Sequence, residues 1–177
     1  EQRTPEWYIY RNNRLTASDL GTAINKNPYG NRKKLIAKKC GYEEKFVTGA
    51  AITHGVKFEP VATQIYETIH NVHVFEYGCI PHPTIEYFGA SPDGICDYDS
   101  KNKEYIGRML EIKCPKSRPI TGFIPEYYEL QIQGQLEVCN LEYCDYLECE
   151  FKEYENMDSI VECNDSDFRG VIIEKFN

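Results

Sequence analysis

The sequence predicts a mixed fold of the α/β or α+β class, in which a central mixed β-sheet is flanked by helices. Helical periodicity dominates before residue 70, the apolar period changes to two between residues 72 and 115, and a further helix precedes two more strands. No linker or repeat interrupts the 177 residues, and 41% of them are hydrophobic. We therefore expect a single domain over residues 1–177 with a substantial buried core.

Three helices are predicted before the first clear strand. The first runs from Thr16 to Ile24 and opens at two residues that favour helix starts, Thr16 and Ser18. The second covers 31–40 and stops before Gly41, a residue suited to a helix end. The third spans 53–70, and its apolar stripe is formed by Phe58, Ala62, Ile65 and Ile69.

Strands are predicted in the second half of the chain. Residues 72–115 alternate between apolar and polar side chains and contain three turn signals rich in Pro, Gly and Asn, which indicates an antiparallel meander. A helix is expected to open at Pro125 and end near Asn140. Two returning strands are expected at 145–152 and 170–175. Because helices alternate with these strands, the predicted sheet is mixed.

Charge is distributed unevenly along the chain. The net charge of −8 argues against a broad basic surface, yet residues 1–120 carry 17 Lys and Arg against 14 Asp and Glu, while residues 121–177 carry 3 against 14. A polyanion should therefore bind to the first two thirds of the chain. The alternative interpretation of the basic run is a solvated helix face. The densest cationic stretch is formed by Lys26, Arg32, Lys33, Lys34, Lys38 and Lys39.

Eight cysteines lack the paired C-x₂-C spacing of zinc sites. We expect free, mostly buried thiols in a reducing compartment, with an iron–sulfur cluster as the alternative. The sequence shows no apolar run long enough for a membrane helix and no signal peptide, so we expect an intracellular protein that is not secreted and does not contact membranes.

The segment Met109–Pro115 carries the clearest chemistry. On a strand, Glu111 and Lys113 share one face and Ile112 lies on the other, so a carboxylate and an ammonium stand together above an apolar layer. A simple salt bridge is the alternative for an isolated Glu-x-Lys. The turn at Ser91–Gly94 lies at the far end of the same predicted meander and can bring Asp93 beside Glu111.

Two carboxylates brought together repel unless a cation lies between them. Hard oxygen ligands favour Mg²⁺ or Mn²⁺, and a metal so held activates water and polarises a phosphodiester. Lys113 can then orient the water or neutralise charge in the transition state. Without the Glu-x-Lys, Asp93 would be equally well explained as a turn residue between Pro92 and Gly94.

Five short motifs, in the same order, resemble the PD-(D/E)xK nucleases of the lambda-exonuclease-like, YqaJ-type viral recombinase family. Each motif is weak alone, whereas the set covers residues 7 to about 139 and is specific. His54 stands where that family has Trp. The motifs are Trp7-x₃-Arg11, Leu15–Ser18, His54-Gly55-x₃-Glu59, Ser91–Gly94 with Leu110–Pro115, and Tyr128-x₂-Gln131-x-Gln133.

The resemblance implies a restriction-endonuclease-like core and assigns roles to eight residues. Asp93, Glu111 and the main-chain carbonyl of Ile112 would bind two Mg²⁺ or Mn²⁺ ions, with Glu59 contributing directly or through water. Lys113 would be the catalytic lysine, and Gln131 would hold the attacking water or a metal-site residue. Ser18 and Arg11 would bind a 5′-terminal phosphate. Taken singly, the last two have plainer readings as a helix cap and a surface ion-pair partner.

The implied activity is a 5′→3′ exonuclease that acts on double-stranded DNA ends in viral or phage-type recombination. Its partners by resemblance would be a DNA end, a single-strand-annealing protein and further copies of the same chain. Two alternatives remain open: an endonuclease of the same fold, and a catalytically inactive module that binds DNA ends. A cysteine-based metal or redox protein is a third class, which the cysteine spacing does not favour.

Overall fold

A computed structural model describes residues 1–42, 49–151, 153 and 169–174 of the chain. Within that part lie five α-helices and two short 3₁₀ turns, Ala17–Asp19 and Lys103–Tyr105. The predicted helices at 31–40, 53–70 and 125–140 are confirmed, with ends that shift by three residues or fewer. The helices are α1 (Pro5–Asn12), α2 (Leu20–Ala23), α3 (Arg32–Lys39), α4 (Ala50–His70) and α5 (Glu126–Cys139).

The N-terminal part of the chain differs from the prediction. Helix α1 was not expected, and it starts because Thr4 accepts a hydrogen bond from the Trp7 main chain at 3.2 Å and Pro5 occupies the first helical position. The single helix predicted over 16–24 is instead a two-residue strand, a 3₁₀ turn and the four-residue α2. Ser18 therefore lies inside the 3₁₀ turn, which is too short to provide a substantial helix dipole.

The buried stripe of α4 follows an i, i+4 row and not the row that ends at Ile69. His54, Ala62 and Tyr66 are buried, whereas Ile69 is 53% exposed, so the expectation for Ile69 was wrong. Tyr66 replaces it because its hydroxyl donates a 2.6 Å hydrogen bond to Asp145, which satisfies the polar end of a buried aromatic ring.

Two sheets, and not one meander, contain the described strands. The smaller sheet has the order β1-β4-β3, where β1 (Leu15–Thr16) pairs in parallel with β4 (Phe88–Ala90) and β3 is Ile80–Pro81. The larger sheet has the order β2-β5-β6-β7-β8. Its strands are β2 (Val74–Phe75), β5 (Gly94–Cys96), β6 (Met109–Lys113), β7 (Tyr143–Glu148) and β8 (Arg169–Glu174).

The larger sheet is mixed, as predicted. Strands β6 and β7 run parallel with Glu111 opposite Tyr146, and α5 lies between them in the chain, while the other pairs are antiparallel. The strand predicted at 145–152 begins and ends earlier, and residue 152 lies outside the described residues. The last predicted strand agrees with β8, except that residue 175 lies outside the described part.

Helices α4 and α5 cover opposite faces of β6. Leu110 and Ile112 pack in one cluster with Ala62 and Tyr66 of α4. Met109 packs in another cluster that contains Ile132 and Leu136 of α5. Because side chains alternate along a strand, Glu111 and Lys113 share the α5 face of β6 with Met109. This alternation places both charged groups between the sheet and α5.

Helix α5 also comes very close to the N-terminal part of the chain. A Cβ atom at Gly134 would lie 2.5 Å from Leu20 Cδ1, and one at Gly21 would lie 2.7 Å from Tyr127 Cβ. Only glycine allows this approach without displacement of a neighbour. The contact packs the 3₁₀ turn that contains Ser18 against α5, the same helix that covers β6.

Seven cysteines in the described residues are free thiols, and four of them are buried: Cys96, Cys114, Cys144 and Cys149. Cys163 lies outside the described residues. No helix in the described part of the chain has the length and apolar character needed to cross a membrane.

Candidate active site

A pocket of about 170 Å³ lies where β6, α5 and the N-terminal segment meet. It gathers six of the eight residues singled out from the sequence: Arg11, Ser18, Asp93, Glu111, Lys113 and Gln131. Ile112 and Glu59 are not part of the lining, but each contacts a residue that is: the Ile112 main-chain N–H donates to Asp93, and Glu59 pairs with Arg3. Five further residues complete the wall: Gln2, Arg3, Trp7, Ser91 and Gln135.

Glu111 is the most deeply buried charged side chain of the pocket, at 1% exposure. Its two oxygens accept hydrogen bonds from Gln131 Nε2 at 2.6 Å and Gln135 Nε2 at 2.7 Å, and Lys113 Nζ also contacts it. The two glutamines are four residues apart on α5 and therefore share one helix face. A buried carboxylate with several donors is held in a fixed orientation.

Asp93 lies at the point where the chain passes from the smaller sheet into the larger one. Its Oδ2 accepts a hydrogen bond from the Ile112 main-chain N–H at 2.7 Å, which anchors it beside β6. Burial and the neighbouring Glu111 carboxylate raise the pKa of Asp93 well above its ordinary value. The site thus holds two carboxylates whose joint ionisation is unfavourable unless a cation joins them.

Lys113 completes the acidic end of the pocket. Burial alone would lower the pKa of Lys113, but Glu111 and Asp93 outweigh that effect and the pKa is raised. The ammonium therefore stays charged, and it lies 4.9 Å from the centre of the Tyr128 ring. A fixed positive charge beside two carboxylates can stabilise negative charge that develops on a bound substrate.

The donor set at this end fits a hard divalent cation. Asp93 and Glu111 offer carboxylate oxygens, and their mutual repulsion is what a bound Mg²⁺ or Mn²⁺ would relieve. Glu59 is held by Arg3, whose Nη2 lies 2.6 and 2.7 Å from its two oxygens. Each of these oxygens keeps a second lone pair, so a role for Glu59 at the metal, directly or through water, stays a prediction.

A second group of potential ligands lies outside the pocket. His73, Asp97 and Asp99 bring one ligand atom each within 4.8 Å of one another. Their own hydrogen bonds account for the cluster, because His73 Nδ1 lies 2.7 Å from Asp97 Oδ2 and the Asp99 main chain donates to Asp97 Oδ1 at 2.9 Å. The cluster is mostly exposed, and we assign no metal to it.

The opposite end of the pocket is a closed ring of hydrogen bonds. Arg11 Nη2 donates to Ser18 Oγ at 3.0 Å, Ser18 Oγ lies 3.0 Å from Thr16 Oγ1, and Thr16 Oγ1 donates to Asp19 Oδ2 at 2.7 Å. Lys39 Nζ closes the ring at 2.8 Å from Asp19 Oδ2 and 3.0 Å from the Arg11 carbonyl oxygen. The ring fixes both residues proposed to hold a terminal phosphate.

The ring contains two cations, Arg11 and Lys39, and one carboxylate, Asp19. Burial alone would raise the pKa of Asp19, but Lys39 and the Thr16 donors outweigh it and lower that pKa. Burial lowers the pKa of Arg11, yet an arginine remains charged at physiological pH. The ring therefore presents net positive charge, which suits an anion.

Trp7 positions Arg11 from the other side. The Trp7 indole N–H donates to Ser91 Oγ at 3.1 Å, and the Arg11 guanidinium carbon lies 4.3 Å from the ring centre. A guanidinium over an aromatic face is attracted to it and loses freedom. The Trp-x₃-Arg spacing thus places the two residues one turn apart on α1, so that the aromatic ring lies beneath the guanidinium.

Sequence reasoning missed several residues of the pocket. Gln135 could have been found, because it follows Gln131 by four residues on a helix. Lys39 belonged to a run of lysines in which nothing distinguished it, and Arg3 lay before the first recognised motif. His54 faces the core, where its ring centre is 4.6 Å from that of Phe58, and it does not line the pocket.

Comparison with known families gives one match that covers most of the chain. The model of the YqaJ-like viral recombinase domain matches residues 6–142. An uncharacterized protein of Acanthamoeba polyphaga mimivirus is 36% identical over 171 residues, which cover 91% of this chain and 31% of the viral protein. A protein of African swine fever virus is 29% identical over 159 residues, which cover 77% of this chain and 46% of that protein. The chain thus spans less than half the length of these relatives.

Solved structures share the fold. An alkaline exonuclease from Laribacter hongkongensis matches with a TM-score of 0.72 and 26% identity over 98% of this chain and 83% of that chain. The same enzyme in complex with dAMP matches equally well. A phage-related exonuclease from Haemophilus somnus matches with a TM-score of 0.63 and 14% identity over 92% of this chain and 85% of that chain, which supports the fold alone. The predicted mixed α/β architecture is confirmed.

Proposed function

Because the chain belongs to the YqaJ-like viral recombinase family, we propose that it is a metal-dependent deoxyribonuclease that digests double-stranded DNA from its 5′ ends. One observation supports the proposal: the carboxylates of Asp93 and Glu111 with Lys113, and the Arg11 guanidinium with the Ser18 hydroxyl, line the same small pocket. The first group suits hydrolysis of a phosphodiester and the second suits recognition of a terminal phosphate.

Hydrolysis requires a water oxygen to attack phosphorus while the bond to the leaving oxygen breaks. When bound by Asp93 and Glu111, a pair of Mg²⁺ or Mn²⁺ ions would acidify that water and neutralise phosphate charge. Lys113 offsets the negative charge that builds up in the transition state. Gln131 and Gln135 hold Glu111 through both of its oxygens, so its orientation is fixed before substrate arrives.

End selection follows from charge. A terminal phosphate monoester carries more negative charge than an internal diester, so a wall that offers the Arg11 guanidinium and the Ser18 hydroxyl should bind it preferentially. The Arg11 guanidinium can donate two parallel hydrogen bonds, and Ser18 supplies a hydroxyl beside it. The solved relative with dAMP supports a deoxynucleoside monophosphate as the class of product. Such an enzyme would act inside an infected cell.

A digestion time course tests the proposal. We expect a 5′-phosphorylated linear duplex to be degraded in Mg²⁺, a 5′-hydroxyl duplex to be degraded more slowly, and neither to be degraded in EDTA. A covalently closed circle should remain intact throughout. Nicking of the circle would favour an endonuclease, and binding of linear DNA without cleavage in Mg²⁺ or Mn²⁺ would favour an inactive end-binding module.

A further inference from the structure

Helix α3 is a strongly cationic surface that the proposed chemistry leaves unused. Five of its eight residues are Lys or Arg and none is acidic, although the whole chain has a net charge of −8. Like charges three or four residues apart on a helix destabilise it by a few tenths of a kcal/mol per pair. A helix with this composition is unfavourable on its own, which points to a role outside folding.

The cations of α3 divide into two groups by their contacts. Lys39, the last residue of the helix, reaches into the ring that holds Arg11 and Asp19. Arg32, Lys33 and Lys38 are exposed, and within the described residues they make no ion pair. For comparison, some half-buried cations elsewhere in the described chain do have carboxylate partners, for example Arg108 with Asp145 and Arg118 with Glu148.

The position of α3 sets the direction of this surface. Lys39 contacts the Arg11 main chain, so the C-terminal end of α3 abuts the wall of the pocket. Eight residues at about 1.5 Å each give α3 a length of roughly 12 Å, with its C-terminal end at that wall. One strand of DNA advances about 3.4 Å per nucleotide along its axis, so this length matches about three base-pair steps.

We propose that α3 is a docking surface for the DNA backbone, on which Arg32, Lys33 and Lys38 contact phosphates of the duplex whose 5′ end lies in the Arg11 pocket. This inference rests on the proposed function and specifies where the substrate lies. Contacts to phosphates supply affinity that does not depend on base sequence and that falls as salt rises.

The test compares two double variants with the same change in net charge. Lys33→Glu with Lys38→Glu reverses two cations of α3. The control, Lys101→Glu with Lys103→Glu, reverses two exposed cations at the 3₁₀ turn Lys103–Tyr105. This turn precedes β6, and the last residue of β6, Lys113, lies at the pocket. Binding of a fluorescent 5′-phosphorylated duplex is measured by anisotropy from 50 to 200 mM salt, with Ca²⁺ in place of Mg²⁺ and a gel to verify that the DNA stays intact.

We expect the α3 variant to weaken binding at least about tenfold and to reduce the slope of log Kd against log salt by roughly 2, because two phosphate contacts are lost. The control variant should match the unmodified protein. A neutral pair, Lys33→Gln with Lys38→Gln, should also bind more weakly while its thermal midpoint stays equal or rises, since repulsion within α3 is relieved.

Two results would overturn the inference while leaving the proposed function intact. In one, the unmodified protein binds and degrades DNA and the α3 variant binds just as tightly. In the other, the α3 and control variants weaken binding equally, which would indicate a long-range effect of net charge alone. Failure of the unmodified protein to bind or degrade DNA at all would instead overturn the proposed function, and with it this inference.

Discussion

At one end of the pocket Asp93 and Glu111 bring two carboxylates together, whereas at the other end Arg11 and Lys39 surround the single carboxylate of Asp19. The acidic end resists full ionisation, because burial and Glu111 raise the pKa of Asp93. The cationic end favours ionisation of Asp19, whose pKa is lowered. Asp93 in the pocket wall and Asp19 in the ring behind Arg11 and Ser18 are thus perturbed in opposite directions.

This contrast shows how the two ends depend on what they bind. At the acidic end, ionisation of Asp93 stays unfavourable until an external cation neutralises it, whereas the cationic end is already stabilised by its own ring of hydrogen bonds. We therefore expect the metal to contribute to folding stability as well as to chemistry. The cationic end should be organised before any DNA arrives.

The largest effect is expected from changes to the two carboxylates. Asp93→Asn should reduce the cleavage rate at least about 10³-fold, because a ligand charge is lost from the metal site. In EDTA its thermal midpoint should equal or exceed that of the unmodified protein, and Mg²⁺ should raise the midpoint of the unmodified protein only. Cleavage at an ordinary rate by this variant would place the site elsewhere.

Glu111→Gln is the matched contrast to that variant. It should lose as much activity, but it should also lower the free energy of unfolding by about 2 kcal/mol, because its new amide faces the Gln131, Gln135 and Lys113 donors. Equal stability of the Asp93 and Glu111 variants in EDTA would contradict the geometry described for Glu111.

Lys113 should act on the chemical step more than on binding. Lys113→Ala should lower kcat by about 100-fold, comparable to the loss of one transition-state stabiliser, with little change in the Kd for DNA. Single-turnover rates and anisotropy measured on the same duplex check this separation. An equal loss in rate and affinity would instead identify Lys113 as an ordinary phosphate contact.

A smaller effect is expected at the cationic end. Arg11→Ala should slow digestion of 5′-phosphorylated duplex severalfold or more and shrink its advantage over 5′-hydroxyl duplex, whereas Lys39→Ala should reduce the same advantage less. Lys39 acts through the Arg11 carbonyl and Asp19, so Lys39→Arg should restore part of the preference. If Lys39→Ala lowers digestion of both duplexes equally, Lys39 does not position the Arg11 pocket.

The smallest effect is a difference in pH dependence in metal-free buffer. The lowered pKa of Asp19 stabilises the fold above its unfolded-state pKa of about 3.9, and this stabilisation is lost as pH falls through the folded-state pKa. The raised pKa of Asp93 has the opposite effect, because the folded state favours the protonated carboxyl. Its contribution to stability is therefore present below about pH 4 and is lost as pH rises towards and through the folded-state pKa. Urea unfolding of Asp19→Asn and Asp93→Asn between about pH 3 and 7 should give differences from the unmodified protein with opposite slopes. Slopes of the same sign would contradict the opposite pKa shifts of Asp19 and Asp93.

The acidic end was more accessible to sequence reasoning than the cationic end. Glu111 and Lys113 are two positions apart on one strand, so local periodicity suffices to place them on one face. The family resemblance, and not periodicity, singled out Gln131 on the helix that follows. Asp93 required only a turn signal and a neighbouring strand. The roles of these residues remain predictions.

The features that were missed depend on contacts between distant segments. The parallel pairing of Leu15 with Phe88 splits the predicted meander into two sheets, and no local alternation reveals it. Lys39 meets Arg11 across 28 residues, and its neighbours are solvent-exposed lysines of the same type. The buried row of α4 ends at Tyr66 because of a partner, Asp145, that lies 79 residues away.

The close approach of Gly134 to Leu20 also implies an order of assembly. Contacts of Glu111 and Ile112 with Asp93, Gln131 and Gln135 close loops of 19 to 24 residues. The contact of Gly134 with Leu20 closes a loop more than four times as long. Each doubling of the loop length costs about 0.6 kcal/mol of chain entropy. We expect β6, which carries Glu111, and α5, which carries its two glutamine partners, to form first and the N-terminal segment to dock last. A nascent chain would therefore acquire the proposed preference for a DNA end only in the final step of folding.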